Sequence, residues 1–182
     1  GWMYFRHPDS LSKRFLSHSN GCASGNTFEE AIVQGACELA ERDAVGIWWY
    51  NRLRRPSIDL DTVDHPYIQN NATHLRSAYG RRLWCLDLSS DLGLTTVSAV
   101  SIRADADEHR PVFGFGSHLD PALAIMRAIT EHNQMLSFIE SPLGHPDLDL
   151  SNADDGVMES YQVKDIEAQM PWLAPARTTR PL

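Results

Sequence analysis

Between Phe28 and Arg54 the polar and apolar positions recur with a helical rather than an alternating period. At about 100° per residue, Glu30, Gln34, Glu38 and Glu41 fall in a sector of about 80°, while Ala31, Ile32, Gly35, Ala36 and Leu39 gather on the other side. Thr27-Phe28-Glu29-Glu30 is a Thr-x-x-Glu capping box, and Pro56 is a stop, so a helix is expected from about Phe28 to about Arg54. A second is expected from Pro66 to Tyr79, ended by Gly80. Strands are expected at Leu83–Leu88, Leu94–Ile102 and Pro111–Phe115, with a charged hairpin-like loop at 105–110. Ser19–Asn26 and Gly114-Phe115-Gly116-Ser117 read as small-residue loops. Asp120-Pro121 opens a helix to about Glu140, closed by Pro142. On it Ile125, Ile129 and Leu136 form a core stripe opposite Arg127, Glu131 and Gln134, with His132 at the stripe's edge as a structural histidine. Residues 1–18 carry no clear signal. The text from Leu143 is an acidic, proline-rich tail with one short helix near Val163–Gln169. The layout is mixed α/β (α+β): a small sheet of about three or more strands flanked by two long helices with acidic faces.

Composition narrows the function classes. The chain has 182 residues, 42% hydrophobic and 22% charged, so a core is expected and disorder is not. A net charge of −8 argues against nucleic-acid binding. Only Lys13 and Lys164 are lysines and neither follows glycine, which excludes a Gly-Lys-Ser/Thr phosphate loop. Cys22, Cys37 and Cys85 are odd in number and far apart, so neither a disulfide framework nor a zinc knuckle is indicated, and a reducing compartment fits. No apolar run spans a bilayer, and no signal peptide is visible. The Trp48-Trp49-Tyr50 run is expected to be buried, or covered by further sequence, in which case the isolated chain would self-associate.

The acids on the first helix change the picture. Like charges three and four residues apart repel, and no lysine is interleaved among them. On spacing alone two readings stand: a solvated acidic face on an acidic protein, or a wall that meets a hard cation such as Mg²⁺ or Ca²⁺ through oxygen ligands. The small-residue loops before the two long helices are either plain turns or phosphate cradles of backbone N–H groups. A carboxylate-bridged di-iron bundle lacks its Glu-x-x-His pair.

Two blocks go further. Ser19-Asn20-Gly21-Cys22-Ala23-Ser24-Gly25-Asn26-Thr27-Phe28-Glu29-Glu30-Ala31, with Gly35-Ala36-Cys37-Glu38-Leu39-Ala40-Glu41-Arg42-Asp43-Ala44, resembles the YcaO-domain family. So do Gly114–His118, Arg127-Ala128-Ile129-Thr130-Glu131 and Gln134, with Asp87–Gly93 at the family's strand and turn. The resemblance covers about residues 15–140.

It implies ATP/Mg²⁺-dependent cyclodehydration of a ribosomal precursor peptide. A Cys, Ser or Thr side chain adds to a backbone amide, the amide oxygen takes the γ-phosphate, and loss of phosphate leaves a thiazoline or oxazoline. Relatives make thioamides or amidines. Carried over by position, Asn26, Arg42, Arg127 and Gln134 are nucleotide-binding and Glu30, Glu38, Glu41 and Glu131 are metal ligands; no catalytic side chain is assigned. The polar faces of the two helices are expected to meet across one cleft. The family domain is longer, with acidic nucleotide-site residues before the point where Gly1 falls and a Pro-x-Pro-x-Pro tail that Pro171, Pro175 and Pro181 do not make. Residues 1–182 are thus expected to be one partial YcaO domain, with a motif-bearing core at 15–140 and a tail at 141–182. Alone it is expected to bind ATP weakly and to be inactive. Expected partners are the precursor peptide, a leader-binding protein related to ubiquitin-activating enzymes and a flavin dehydrogenase, in the cytoplasm. The alternative is a non-catalytic docking or scaffold component of a bacteriocin-like pathway.

Overall fold

The computed structural model describes residues 19–104, 109–140, 163 and 165–180. Residues 1–18, most of the 105–110 loop, Pro142 and most of the tail lie outside the described residues. Helix α1 spans Phe28–Asn51, with the Thr27 hydroxyl accepting from the Glu30 N–H at 3.2 Å. It stops short of Arg54 because Arg52 turns left-handed (φ 52°) and closes back on the Trp48 and Trp49 carbonyls. Arg55 then anchors the exit by donating to the Asp87 and Ser89 carbonyls, each at 2.8 Å. Strand β1 (Pro56–Ile58) and a 3₁₀ turn (Leu60–Thr62) lead to α2 (Pro66–Tyr79), which begins at proline and ends at left-handed Gly80. Strands β2 (Arg81–Asp87), β3 (Thr95–Arg103) and β4 (Val112–His118) follow, then α3 (Pro121–Ile139), α4 (Ile166–Gln169) and β5 (Ala176–Arg180).

The sheet has five strands in the order β4-β3-β2-β1-β5. Its first four strands pair antiparallel, and β5 pairs parallel with β1. The strands alternate faces with period two, as a pleat requires. Trp84, Leu86, Val100, Ile102 and Phe113 pack under Ala44 and Trp48 of α1, joined by Val163, Ile166, Trp172 and Leu173. Cys85, Val97 and Ala99 face Ile68 of α2 and Ala124, Ile125, Ala128 and Ile129 of α3.

Three expectations change. Gly114–Ser117 is not a loop but the middle of β4. A Cβ on Gly114 would strike the backbone of Ala128 and His132, and one on Gly116 that of Ala124 and Ala128. The glycines are there because α3 lies directly on the strand. Second, the tail is not confined to a short helix. Its described part enters the core, with the Trp84 indole N–H donating to the Leu173 carbonyl at 2.9 Å, and it adds β5. Third, Trp48 is buried and Trp49 half-buried against Phe113 and Trp172, but Tyr50 is 81% exposed. Three consecutive helical residues spread over about 200°, more than one core-facing stripe holds.

A buried polar lock ties the far end of α3 to the sheet. Arg81, fully buried, donates to Ser101 Oγ at 2.9 Å, to the Ser101 and Arg110 carbonyls, and to Glu140 at 2.9 Å. Glu140 also holds Arg103. His132 Nε2 lies 2.7 Å from Ser101 Oγ, and its Nδ1 lies 3.2 Å from Asn133 Oδ1. Asn133 Oδ1 can only accept, so the neutral ring carries its proton on Nδ1 and Ser101 donates to Nε2. With no access to solvent, this Ser–His pair is structural.

Candidate active site

Helices α1 and α3 cover opposite faces of the sheet, yet their polar stripes meet, because both overhang the outer edge of β4. There the Phe115 N–H donates to Glu131 Oε2 at 2.7 Å, and the Ser117 carbonyl accepts from Arg127 Nη1 at 3.2 Å. From α1, Gln34 Oε1 accepts from Arg127 Nη2 at 2.6 Å. A cleft of about 410 Å³ opens between Glu41, Phe115, Met126, Arg127, Thr130, Glu131 and Gln134. Clefts of about 490 and 480 Å³ open beside α2, but neither contains a residue of the acidic stripe, and the chemistry selects the first.

Glu41 is the informative group. It is 9% exposed, and burial, with the Glu131 and Glu38 carboxylates beside it, pushes its pKa up to about 7 against the pull of Arg42 and Arg127. Arg42 lies 3.6 Å from Glu41 and 3.9 Å from Glu38. The site thus holds clustered acids that Arg42 and Arg127 only partly offset. Its donors are oxygens, which suit a hard cation such as Mg²⁺. No trio of His, Cys, Asp and Glu among the described residues is close enough to form a closed metal site. Mg²⁺ bound with phosphates needs only one or two carboxylates, so the residues fit.

The structure brings together Glu38, Glu41, Arg42, Arg127, Glu131 and Gln134. It does not bring Asn26 and Glu30 to them: Glu30 sits in the first turn of α1, about 16 Å along the axis from Glu41 at 1.5 Å per residue, and Asn26 precedes the helix. There the Asn26 N–H donates to Glu30 Oε2 at 2.7 Å, so this carboxylate closes the cap. Gln34, Met126 and Thr130 were given no role from sequence. Gln34 could have been found as the one amide on the acidic stripe, and Thr130 by its place one turn from Arg127; the Ser117 carbonyl left no signal.

Comparison with known proteins identifies a family. The family model for YcaO cyclodehydratase, ATP- and Mg²⁺-binding, matches residues 1–181. A heterocyclase solved in complex with substrate and cofactor is 41% identical with a TM-score of 0.80, over 96% of this chain and 22% of that one. YcaO from Methanopyrus kandleri, bound with AMPPCP and Mg²⁺, is 27% identical with a TM-score of 0.65, over 91% and 40%. An uncharacterized protein of Methanothermobacter thermautotrophicus is 35% identical over 128 residues, 70% of this chain and 33% of that protein. The chain therefore spans about a third of that curated relative's length. ATP and Mg²⁺ are the cofactors of the matched family. Because one family model matches nearly its whole length, the chain belongs to the YcaO cyclodehydratase family.

Proposed function

We propose that this chain supplies one wall of an ATP/Mg²⁺-dependent cyclodehydratase site acting on a ribosomal precursor peptide. The observation that carries the reading is the meeting of Glu41 and Glu131, from helices far apart in sequence, in one cleft beside Arg127. One or two of the carboxylates Glu38, Glu41 and Glu131 would hold Mg²⁺, which would neutralise triphosphate charge; Arg42, Arg127 and Gln134 would meet phosphate oxygens. Asn26 and Glu30 lie apart from this cleft, where the Asn26 N–H holds the Glu30 carboxylate. In the reaction a Cys, Ser or Thr side chain would lose its S–H or O–H proton as it adds to the preceding amide carbon, and the resulting oxyanion would take the γ-phosphoryl group with ADP as leaving group. The amide nitrogen would then give up its proton as the C=N bond forms and inorganic phosphate departs with the amide oxygen. The net change is one water lost from the peptide per ring.

The likeness to a heterocyclase favours ring formation over thioamide or amidine products. A pure docking role would give no reason to gather Glu41, Glu131 and Arg127. The remaining walls belong to further sequence, consistent with the greater length of the relatives. The leader-binding and flavin-dependent partners and a cytoplasmic setting follow from the substrate class; no helix among the described residues is long and apolar enough to cross a membrane.

The test is calorimetry with Mg-ATP on the 182-residue chain beside the full-length protein, with peptide mass read after turnover. The expected result is weak or absent binding by the chain, micromolar binding by the full-length protein, and loss of one water per ring. Glu41→Gln or Glu131→Gln in the full-length protein should abolish the mass loss. Micromolar binding by the chain alone would overturn the partial-wall reading, and unimpaired turnover in both variants would overturn the catalytic one.

A further inference from the structure

The acidic stripe of α1 has one neutral member. Glu30, Glu38 and Glu41 are acids, but Gln34 stands one turn before Glu38. Its Oε1 is the acceptor that reaches Arg127 across the cleft at 2.6 Å, and the same guanidinium also donates to the Ser117 carbonyl at 3.2 Å. Both partners are uncharged. Arg42, the other arginine of the stripe, instead lies against two carboxylates, Glu38 and Glu41.

The difference matters for anion binding. A guanidinium has five N–H donors in a rigid fork, so two neutral acceptors fix its plane and leave donors for a phosphate. Neutral acceptors add no further negative charge beside it, in a cleft that already holds Glu41 and Glu131, and charge-assisted bonds are about twice as strong as neutral ones. A carboxylate at position 34 would tether Arg127 at least as well and cancel the charge the ligand needs. We propose that Gln34 is a positioning residue for phosphate recognition, fixing the Arg127 fork across the cleft through an acceptor that is neutral by necessity. This rests on the nucleotide reading of the site.

The experiment compares Arg127→Ala, Gln34→Glu and Gln34→Met in the full-length protein, reading KM for ATP, KM for peptide, kcat and the thermal midpoint. Arg127→Ala should raise KM for ATP about tenfold or more, the loss of one charged phosphate contact. Gln34→Glu should raise it comparably while leaving KM for peptide unchanged and the thermal midpoint at or above the parent's. Gln34→Met, which keeps the charge but loses the tether, should raise KM for ATP about threefold to tenfold, and decides the matter if Gln34→Glu does not fold. A wild-type KM for ATP in Gln34→Glu or Gln34→Met, with Arg127→Ala defective, would overturn the proposal alone. So would an equal loss toward both substrates with a lowered midpoint, the mark of a merely structural role. A wild-type KM for ATP in Arg127→Ala would overturn the nucleotide reading itself, and this proposal with it.

Discussion

Glu41 and His132 are buried side chains of opposite charge type, and both resist ionisation. Folding raises Glu41 from 4.5 to about 7, so its ionisation costs stability as pH climbs through that window. Folding lowers His132 from 6.5 to about 4, mainly by burial, so stability is complete above 6.5 and is lost as pH falls toward 4. Each shift corresponds to about 3 kcal/mol at 1.36 kcal/mol per unit. The two slopes run in opposite directions over nearly the same range, and the parent protein should show a flat stability profile between pH 4.5 and 7. Glu41→Gln should uncover the acid-labile slope and gain about 1–3 kcal/mol at pH 8 without Mg²⁺. His132→Gln should uncover the reverse slope, with stability rising as pH falls from 7. Urea unfolding of the three proteins across that range checks both; parallel profiles would contradict it.

At the scale of elements, β4 and α3 depend on two absent side chains. Gly114→Ala or Gly116→Ala should each cost more than about 2 kcal/mol, because the new methyl meets helix backbone that cannot step aside. Ala99, on the neighbouring strand and the same face, marks how small that layer already is. Circular dichroism melts of the two variants provide the measurement. Here the limits of sequence reading have a physical cause. Helix α2 was legible to the residue because Pro66 and Gly80, its start and stop, act locally. The acidic stripe was legible because helical period needs no partner. Gly114-Phe115-Gly116 was misread because its glycines answer to α3, a tertiary cause that looks like turn chemistry in the text. Strand β1 has three residues, too few to show a period, and β5 is held through its pairing with β1 rather than by a local pattern. The Arg127–Gln34 contact joins residues 93 apart, which no local pattern registers.

At the scale of the whole molecule, α1 leaves a stripe uncovered. Phe28, Ile32, Leu39, Ile47 and Tyr50 are exposed and lie within about 100° of one another around the helix. The isolated chain should therefore associate with itself as concentration rises, and Leu39→Glu should restore a monomer. Sedimentation equilibrium decides it; a monomer at every concentration would count against the idea. The seating of Glu131 and Arg127 on β4 has a consequence for experiments of any kind on this site. Among the described residues β4 is the last strand of its sheet, and these two side chains occupy a donor and an acceptor two residues apart on its outer rim. Truncating both to alanine disarms the cleft and also bares a template onto which another strand can add. Such a doubly silenced protein should seed thioflavin-positive aggregates where Glu41→Ala does not. The two side chains that line the cleft also cap the rim of the sheet.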